Sequence, residues 1–113
     1  MSKHVLVIED EPVIRALIEA SLAGRCEIHS AVDGLQGLKS VARRRPDLIL
    51  LDVGLPGMNG GEVLRRLRAN EATATIPIVI LTGLEPPEDI KPDGVVMKPF
   101  TPHSLRESVA GWL

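Results

Sequence analysis

The run Leu48-Ile49-Leu50-Leu51-Asp52-Val53-Gly54-Leu55-Pro56-Gly57-Met58-Asn59-Gly60-Gly61 decides how the chain is read. Four consecutive aliphatic residues bury both faces of a strand, which is the habit of a central strand in a parallel α/β sheet and not of a half-solvated hairpin. The run stops at one carboxylate, and proline and glycine then turn the chain away. Asp52 therefore stands at the carboxyl end of a buried strand, the edge of an open α/β sheet where ligands bind. Taken alone, such a carboxylate is better explained as a cap on the turn that follows.

On either side of this stretch the chain alternates two periods. Residues 4–8 (HVLVI) read as a buried strand. Pro12 suits the first turn of a helix whose stripe is Val13, Ile14, Leu17, Ile18 and Leu22, and Gly24 ends it. A weaker strand is expected at about 27–31, where Ile28 alone is a large aliphatic, as suits a sheet edge. A helix over 35–45 turns Leu35, Leu38, Val41 and Ala42 inward, and Arg43, Arg44 and Arg45 at its end complement the helix dipole as a solvated face. A helix from about Gly61 to Asn70 follows, with Val63, Leu64 and Leu67 inward and Arg65, Arg66 and Arg68 outward. Then come a strand at 76–81 ending at Thr82, a short apolar run at 95–97 ending at Lys98-Pro99, and a helix at 103–112. Strands alternating with helices through right-handed crossovers make a doubly wound α/β fold: a five-stranded parallel sheet with helices on both faces.

Composition narrows the function classes. A chain of 113 residues, 44% hydrophobic and 25% charged, is expected to form one domain over 1–113 with a real core. A formal charge of -2 offers no general attraction to nucleic acid. No apolar run approaches the ~20 residues that cross a bilayer, and Glu9, Asp10 and Glu11 directly after the first apolar run are unlike a signal peptide, so a cytoplasmic protein with no membrane partner is expected. Cys26 is the lone cysteine and reads as a small buried hydrophobe. His4, His29 and His103 lack metal-ligand spacing. Trp112 reads as a packing or small interface residue and not as a ligand platform.

The strand ends carry the chemistry. Glu9 and Asp10 follow the first strand, Asp52 ends the third, Thr82 the fourth and Lys98 the fifth, and parallel strands bring all these ends to one edge. Carboxylates crowded together repel and raise one another's pKa, so the arrangement makes sense chiefly where a divalent cation offsets their charge. Ligands that are all oxygen favour Mg²⁺ or a similar hard ion, which keeps waters and accepts a phosphoryl oxygen.

With these residues in this order, essentially the whole chain resembles the receiver domain of two-component response regulators. The resemblance rests on Glu9 and Asp10, on Asp52 with Pro56, Met58, Asn59 and Gly60 in the family's spacing, on Thr82, and on Lys98-Pro99-Phe100. It implies a flavodoxin-like sheet of order 2-1-3-4-5. It further implies that Asp52 takes a phosphoryl group from a phosphohistidine of a sensor histidine kinase or histidine phosphotransfer protein. Glu9, Asp10, Asp52 and the carbonyl of Gly54 would hold Mg²⁺, Lys98 would neutralise phosphoryl oxygens, and Thr82 would donate its hydroxyl and swing toward the group. The Lys98-Pro99 bond would be cis. Such a chain is a signalling phosphoacceptor that assists its own phosphorylation and dephosphorylation, not an enzyme with a separate substrate. Its downstream partner would be a protein, and both a stand-alone receiver and a piece of a larger regulator fit the resemblance. The absence of a side chain at Gly54 leaves one approach to an acyl phosphate open.

Two positions depart from the family's pattern. Val95 stands where receivers commonly carry Tyr or Phe three residues before the lysine. Between Thr82 and the fifth strand only Gly83 to Asp93 remain, with Pro86, Pro87 and Pro92, so at most one turn fits around Glu88 to Ile90 and the family's fourth helix is expected to be short or absent. The alternative reading is accordingly a receiver-like interaction module that no longer depends on phosphorylation. A flavin or nucleotide binder fits poorly, because Glu9, Asp10 and Glu11 repel an unescorted phosphate. A haloacid-dehalogenase-type phosphohydrolase would need an acid at Gly54, and an Mg²⁺ nuclease would need a basic track.

Overall fold

A computed structural model describes residues 2–113. The elements run β1 (His4–Ile8), α1 (Pro12–Leu22), β2 (Glu27–Ala31), α2 (Gly34–Arg43), β3 (Leu48–Asp52), α3 (Gly60–Ala69), β4 (Ile78–Thr82), β5 (Gly94–Met97) and α4 (Pro102–Val109), closed by a 3₁₀ turn at Ala110–Trp112. All strands are parallel, in the order β2-β1-β3-β4-β5. The expected fold class and strand order are both found.

Every residue of β1, β3 and β4 is buried because alternate side chains feed two separate cores. Leu6, Ile8, Ile49, Leu51, Ile78 and Ile80 face Val41, Val63, Leu64 and Leu67 of α2 and α3. Val5, Val7, Leu48, Leu50, Val79 and Leu81 face Ile18, Leu22, Leu105 and Val109 of α1 and α4. Polar β2 is one edge, with Arg44 holding Glu27 through two short hydrogen bonds of 2.7 and 2.9 Å. No helix of the described residues is long and apolar enough to cross a membrane.

Several inward expectations are corrected. Val13 and Leu35 are 77% and 53% exposed and Ala42 is exposed, because each lies on the flank of its helix and the sheet contacts a narrower stripe. In α1 that stripe includes Ser21, whose hydroxyl donates to the Leu17 carbonyl. Arg68, expected outward, is half-buried and donates to the carbonyls of Ala74 and Ile76 and to Asp93. Helix α2 stops at Arg43; Arg44 caps it and Arg45 lies beyond, donating to Thr75 and the Ala72 carbonyl. Cys26 is only half-buried, with its thiol pushed up by burial. Trp112 packs into the α1/α4 core, as expected.

Between β4 and β5 there is no helix, and residues 88–89 form a turn. The segment is held as a strap against α3: Ile90 is buried, Arg65 pairs with Asp89 at 3.2 Å, and Asp93 accepts both Arg68 and the Ile78 amide. Register sets Val95 beside Ile80 and Met97 beside Thr82, on the sheet face where a helix after β4 would lie, and they are 40% and 49% exposed.

The start of α3 is wedged against the end of β3. A Cβ on Gly60 would collide with the Asp52 carbonyl oxygen and lie 2.7 Å from Val53 Cα, both of them backbone atoms that cannot step aside. Gly60→Ala is therefore expected to cost about 1–3 kcal/mol by overpacking. Urea unfolding should show a lower midpoint with an unchanged slope.

Candidate functional site

Each candidate residue is delivered by a strand end. The Glu9 amide continues the β1 ladder by donating to the Ala31 carbonyl at 3.0 Å, which keeps Glu9 inside the fold with a fully buried side chain. Asp10 follows it, half-buried. Asp52 is the last residue of β3, and its Oδ1 accepts the Gly54 amide at 3.1 Å, so the turn-capping role open to an isolated carboxylate is also filled. Lys98 follows β5, its amide donating to the Thr82 carbonyl at 2.7 Å, and the Lys98-Pro99 bond is cis.

These residues meet. Glu9, Asp10 and Asp52 each offer one carboxylate oxygen, all within 4.8 Å of one another. Lys98 Nζ lies 3.3 Å from Glu9 Oε1 and 3.3 Å from Asp52 Oδ1, bridging the two carboxylates. Burial, followed by the neighbouring Asp52, pushes the Glu9 carboxyl up to about 7 despite Lys98. Burial opposes the charge on Lys98, but Glu9 and Asp52 together outweigh it and hold the ammonium above its ordinary range. The centre is short of positive charge. The three carboxylate oxygens form an all-oxygen set that a hard divalent cation would fit, and the ammonium beside them offsets only part of their charge.

Above them opens a cleft of about 420 Å³ lined by Asp10, Asp52, Gly54, Thr82 and Lys98, together with Leu84, Glu85 and Pro87 of the strap. The Thr82 hydroxyl clasps Leu84, donating to its carbonyl at 2.8 Å and accepting its amide at 3.1 Å. At Gly54 a Cβ would meet only Asp52 Oδ1, at 3.8 Å, so the approach there is open. The structure thus gathers Glu9, Asp10, Asp52, Gly54, Thr82 and Lys98 in one place. His4, His29 and His103 lie outside it; His4 is buried with its ring edge-on to His29 at 4.6 Å, and His103 pairs with Glu107.

Two contributions went unread in the sequence. The strap residues Glu85 and Pro87 line the cleft, which only tertiary folding could reveal. Arg15 donates to the carbonyls of Glu9 and Asp10, and its signal was a cation lodged between Ile14 and Ile18 on a helix's apolar side.

A model of the response regulator receiver domain matches residues 5–110. The chain belongs to that family. Among curated receivers, the DNA-binding response regulator MtrA of Mycolicibacterium smegmatis is 39% identical over 112 residues, which cover 93% of this chain and 48% of the relative. The response regulator PleD of Caulobacter vibrioides is 42% identical over 75% of the chain and 19% of its own length, so this receiver spans less than half of either relative. Among solved receivers, Vibrio cholerae chemotaxis protein CheY4 superposes with a TM-score of 0.92 at 28% identity over the whole of both chains. The receiver domain of a Pseudomonas aeruginosa sensor histidine kinase, with magnesium coordinated in its active site cleft, gives 0.89 at 30% identity over 99% of this chain and 98% of that one.

Buried Glu9 yields a pH signature. Without divalent cations, the native receiver keeps a proton on Glu9 that the unfolded chain has released, between the ordinary 4.5 and about 7. The contribution of this group to stability is complete below that window and is lost as pH rises through it. Glu9→Gln should lack this component, as read from urea titrations below and above the window.

Proposed function

We propose that this receiver accepts a phosphoryl group on Asp52 from a phosphohistidine of a sensor histidine kinase or histidine phosphotransfer protein in the cytoplasm, and thereby modulates binding of a downstream protein. The observation that carries this reading is Asp52 at the floor of an open cleft with Lys98 Nζ at 3.3 Å and two further carboxylates beside it. In the transfer, an Asp52 carboxylate oxygen attacks phosphorus, the phosphorus–nitrogen bond of the donor breaks, and the released imidazole takes up a proton. Little covalent work falls to the rest of the chain, because phosphoryl transfer asks mainly for position and charge neutralisation. Lys98 is set to leave Glu9 for a phosphoryl oxygen while remaining beside Asp52. Glu9, Asp10, Asp52 and the Gly54 carbonyl would hold Mg²⁺, which when bound supplies the charge neutralisation that Lys98 alone does not. The receiver assists its own modification and has no separate substrate to turn over.

Thr82 supplies the readout. To donate to a phosphoryl oxygen its hydroxyl must leave Leu84, which frees both ends of a clasp within the strap. Val95 has no part in this, since it stands beside Ile80 and is 40% exposed, while Thr82's neighbour in the register is Met97. The route differs from one through an inward-turning aromatic: phosphorylation would be reported in the order of residues 83–87. The second reading, an interaction module independent of phosphorylation, draws on the missing helix and on Val95.

Incubation with Mg²⁺ and a small phosphodonor should yield an acid-stable, base-labile adduct that is absent in Asp52→Ala. No adduct with any donor or kinase would overturn the reading in favour of the constitutive module. With a phosphoryl mimic bound, amide exchange at Leu84 should accelerate on the order of five-fold, the worth of one lost hydrogen bond. Thr82→Val should exchange fast in both states, and equal exchange in the wild type with and without the mimic would remove the strap as the switch.

A further inference from the structure

The acidic turn between β1 and α1 is an unstable piece of chain by itself. Glu9, Asp10 and Glu11 are consecutive, Pro12 brings no amide, and Glu11 at the helix N-cap makes no side-chain capping bond. The Glu9 amide is engaged in the sheet, while the Glu9 and Asp10 carbonyls accept from a side chain. Among the described residues one side chain reaches those carbonyls: Arg15 Nη1, from the first turns of α1, donates to Glu9 O at 2.9 Å and to Asp10 O at 3.0 Å. Arg15 is partly buried, and among the described residues its guanidinium bonds through Nη1 to these two backbone carbonyls and pairs with no carboxylate.

We propose that Arg15 is a positioning residue for the acidic site, the clamp that sets the turn so that the Glu9 and Asp10 carboxylates converge on Asp52. This rests on the metal-binding reading above and extends it to a residue that touches neither metal nor phosphoryl group. The clamp works in two ways. One nitrogen shared by successive carbonyls fixes the peptide between Glu9 and Asp10, and hence the angle between their side chains. The guanidinium also brings a permanent positive charge to the backbone of a turn that carries three consecutive acids. Residues that orient metal ligands from behind typically contribute about 10–100-fold to metal affinity.

The test is Mg²⁺ titration of the 113-residue chain by calorimetry, in wild type, Arg15→Met and Arg15→Lys, together with the Mg²⁺ dependence of phosphorylation by a small phosphodonor. Arg15→Met is expected to weaken Mg²⁺ binding by about tenfold. The Mg²⁺ concentration for half-maximal phosphorylation should rise in parallel, while the rate at saturating Mg²⁺ stays near wild type. Arg15→Lys keeps the charge with a single point donor and should fall between the two, which also guards against loss of folding in the methionine variant. Unchanged Mg²⁺ affinity in both variants, with or without a lower thermal midpoint, would overturn the clamp and leave a purely structural arginine. A fallen plateau rate with unchanged affinity would overturn it as well. A wild type that binds no Mg²⁺ would overturn the metal reading itself, and the clamp with it.

Discussion

The ammonium of Lys98, set between the carboxylates of Glu9 and Asp52, is the interaction on which the site depends. A fully buried carboxylate needs a partner or a proton, and Glu9 draws on both: a cation at 3.3 Å and a carboxyl pushed up to about 7. Three separate strands must end at one level for this to occur. The parallel sheet guarantees it, since β1, β3 and β5 all deliver their carboxyl ends to the same edge. The charge centre is thus the product of the topology and of two unbroken apolar runs that leave β1 and β3 no other way to pack.

The second organising fact is the strap between β4 and β5. Three prolines deny it a helix, so it keeps only isolated backbone bonds, such as the Asp93 amide to the Ile78 carbonyl at 2.8 Å, and side chains supply the remaining ties. Asp93 accepts the Ile78 amide and the Arg68 guanidinium, Arg65 reaches Asp89, and Ile90 supplies the apolar anchor. These ties reach the far half of the strap and leave Gly83 to Glu85 held chiefly by the Thr82 clasp. The part of the strap nearest Asp52 is therefore the part least committed to α3.

Much of this was legible in the sequence. Buried strands announce themselves as apolar runs, and the residue that ends each run is the residue at the sheet edge, so Glu9, Asp52, Thr82 and Lys98 could be assigned to one locus before any coordinates. The lost helix was legible from Pro86, Pro87 and Pro92. Less could be read where tertiary contact decides. Periodicity could not tell that Val13, Leu35 and Ala42 sit on helix flanks, because an apolar side chain just off the stripe looks the same as one on it. Arg68 looked solvated because helical phase alone says nothing of the carbonyls of Ala74 and Ile76 that receive it. Arg15 was harder to read for a related reason: its partners are backbone oxygens, so its one mark in the sequence is a cation between Ile14 and Ile18.

The uncovered face of β5 bears on how the domain comes apart. This edge strand is four residues long, with Val96 buried and Val95 and Met97 wet. Local opening favours edges with little buried apolar contact, and β5, the strand that leads into Lys98, is one such edge. Fraying of β5 therefore withdraws the ammonium from two crowded carboxylates, so a thinly packed margin of the domain and its electrostatic balance are the same place. A cation or phosphoryl group that engages the acidic edge and Lys98 together would act on this margin as a rivet.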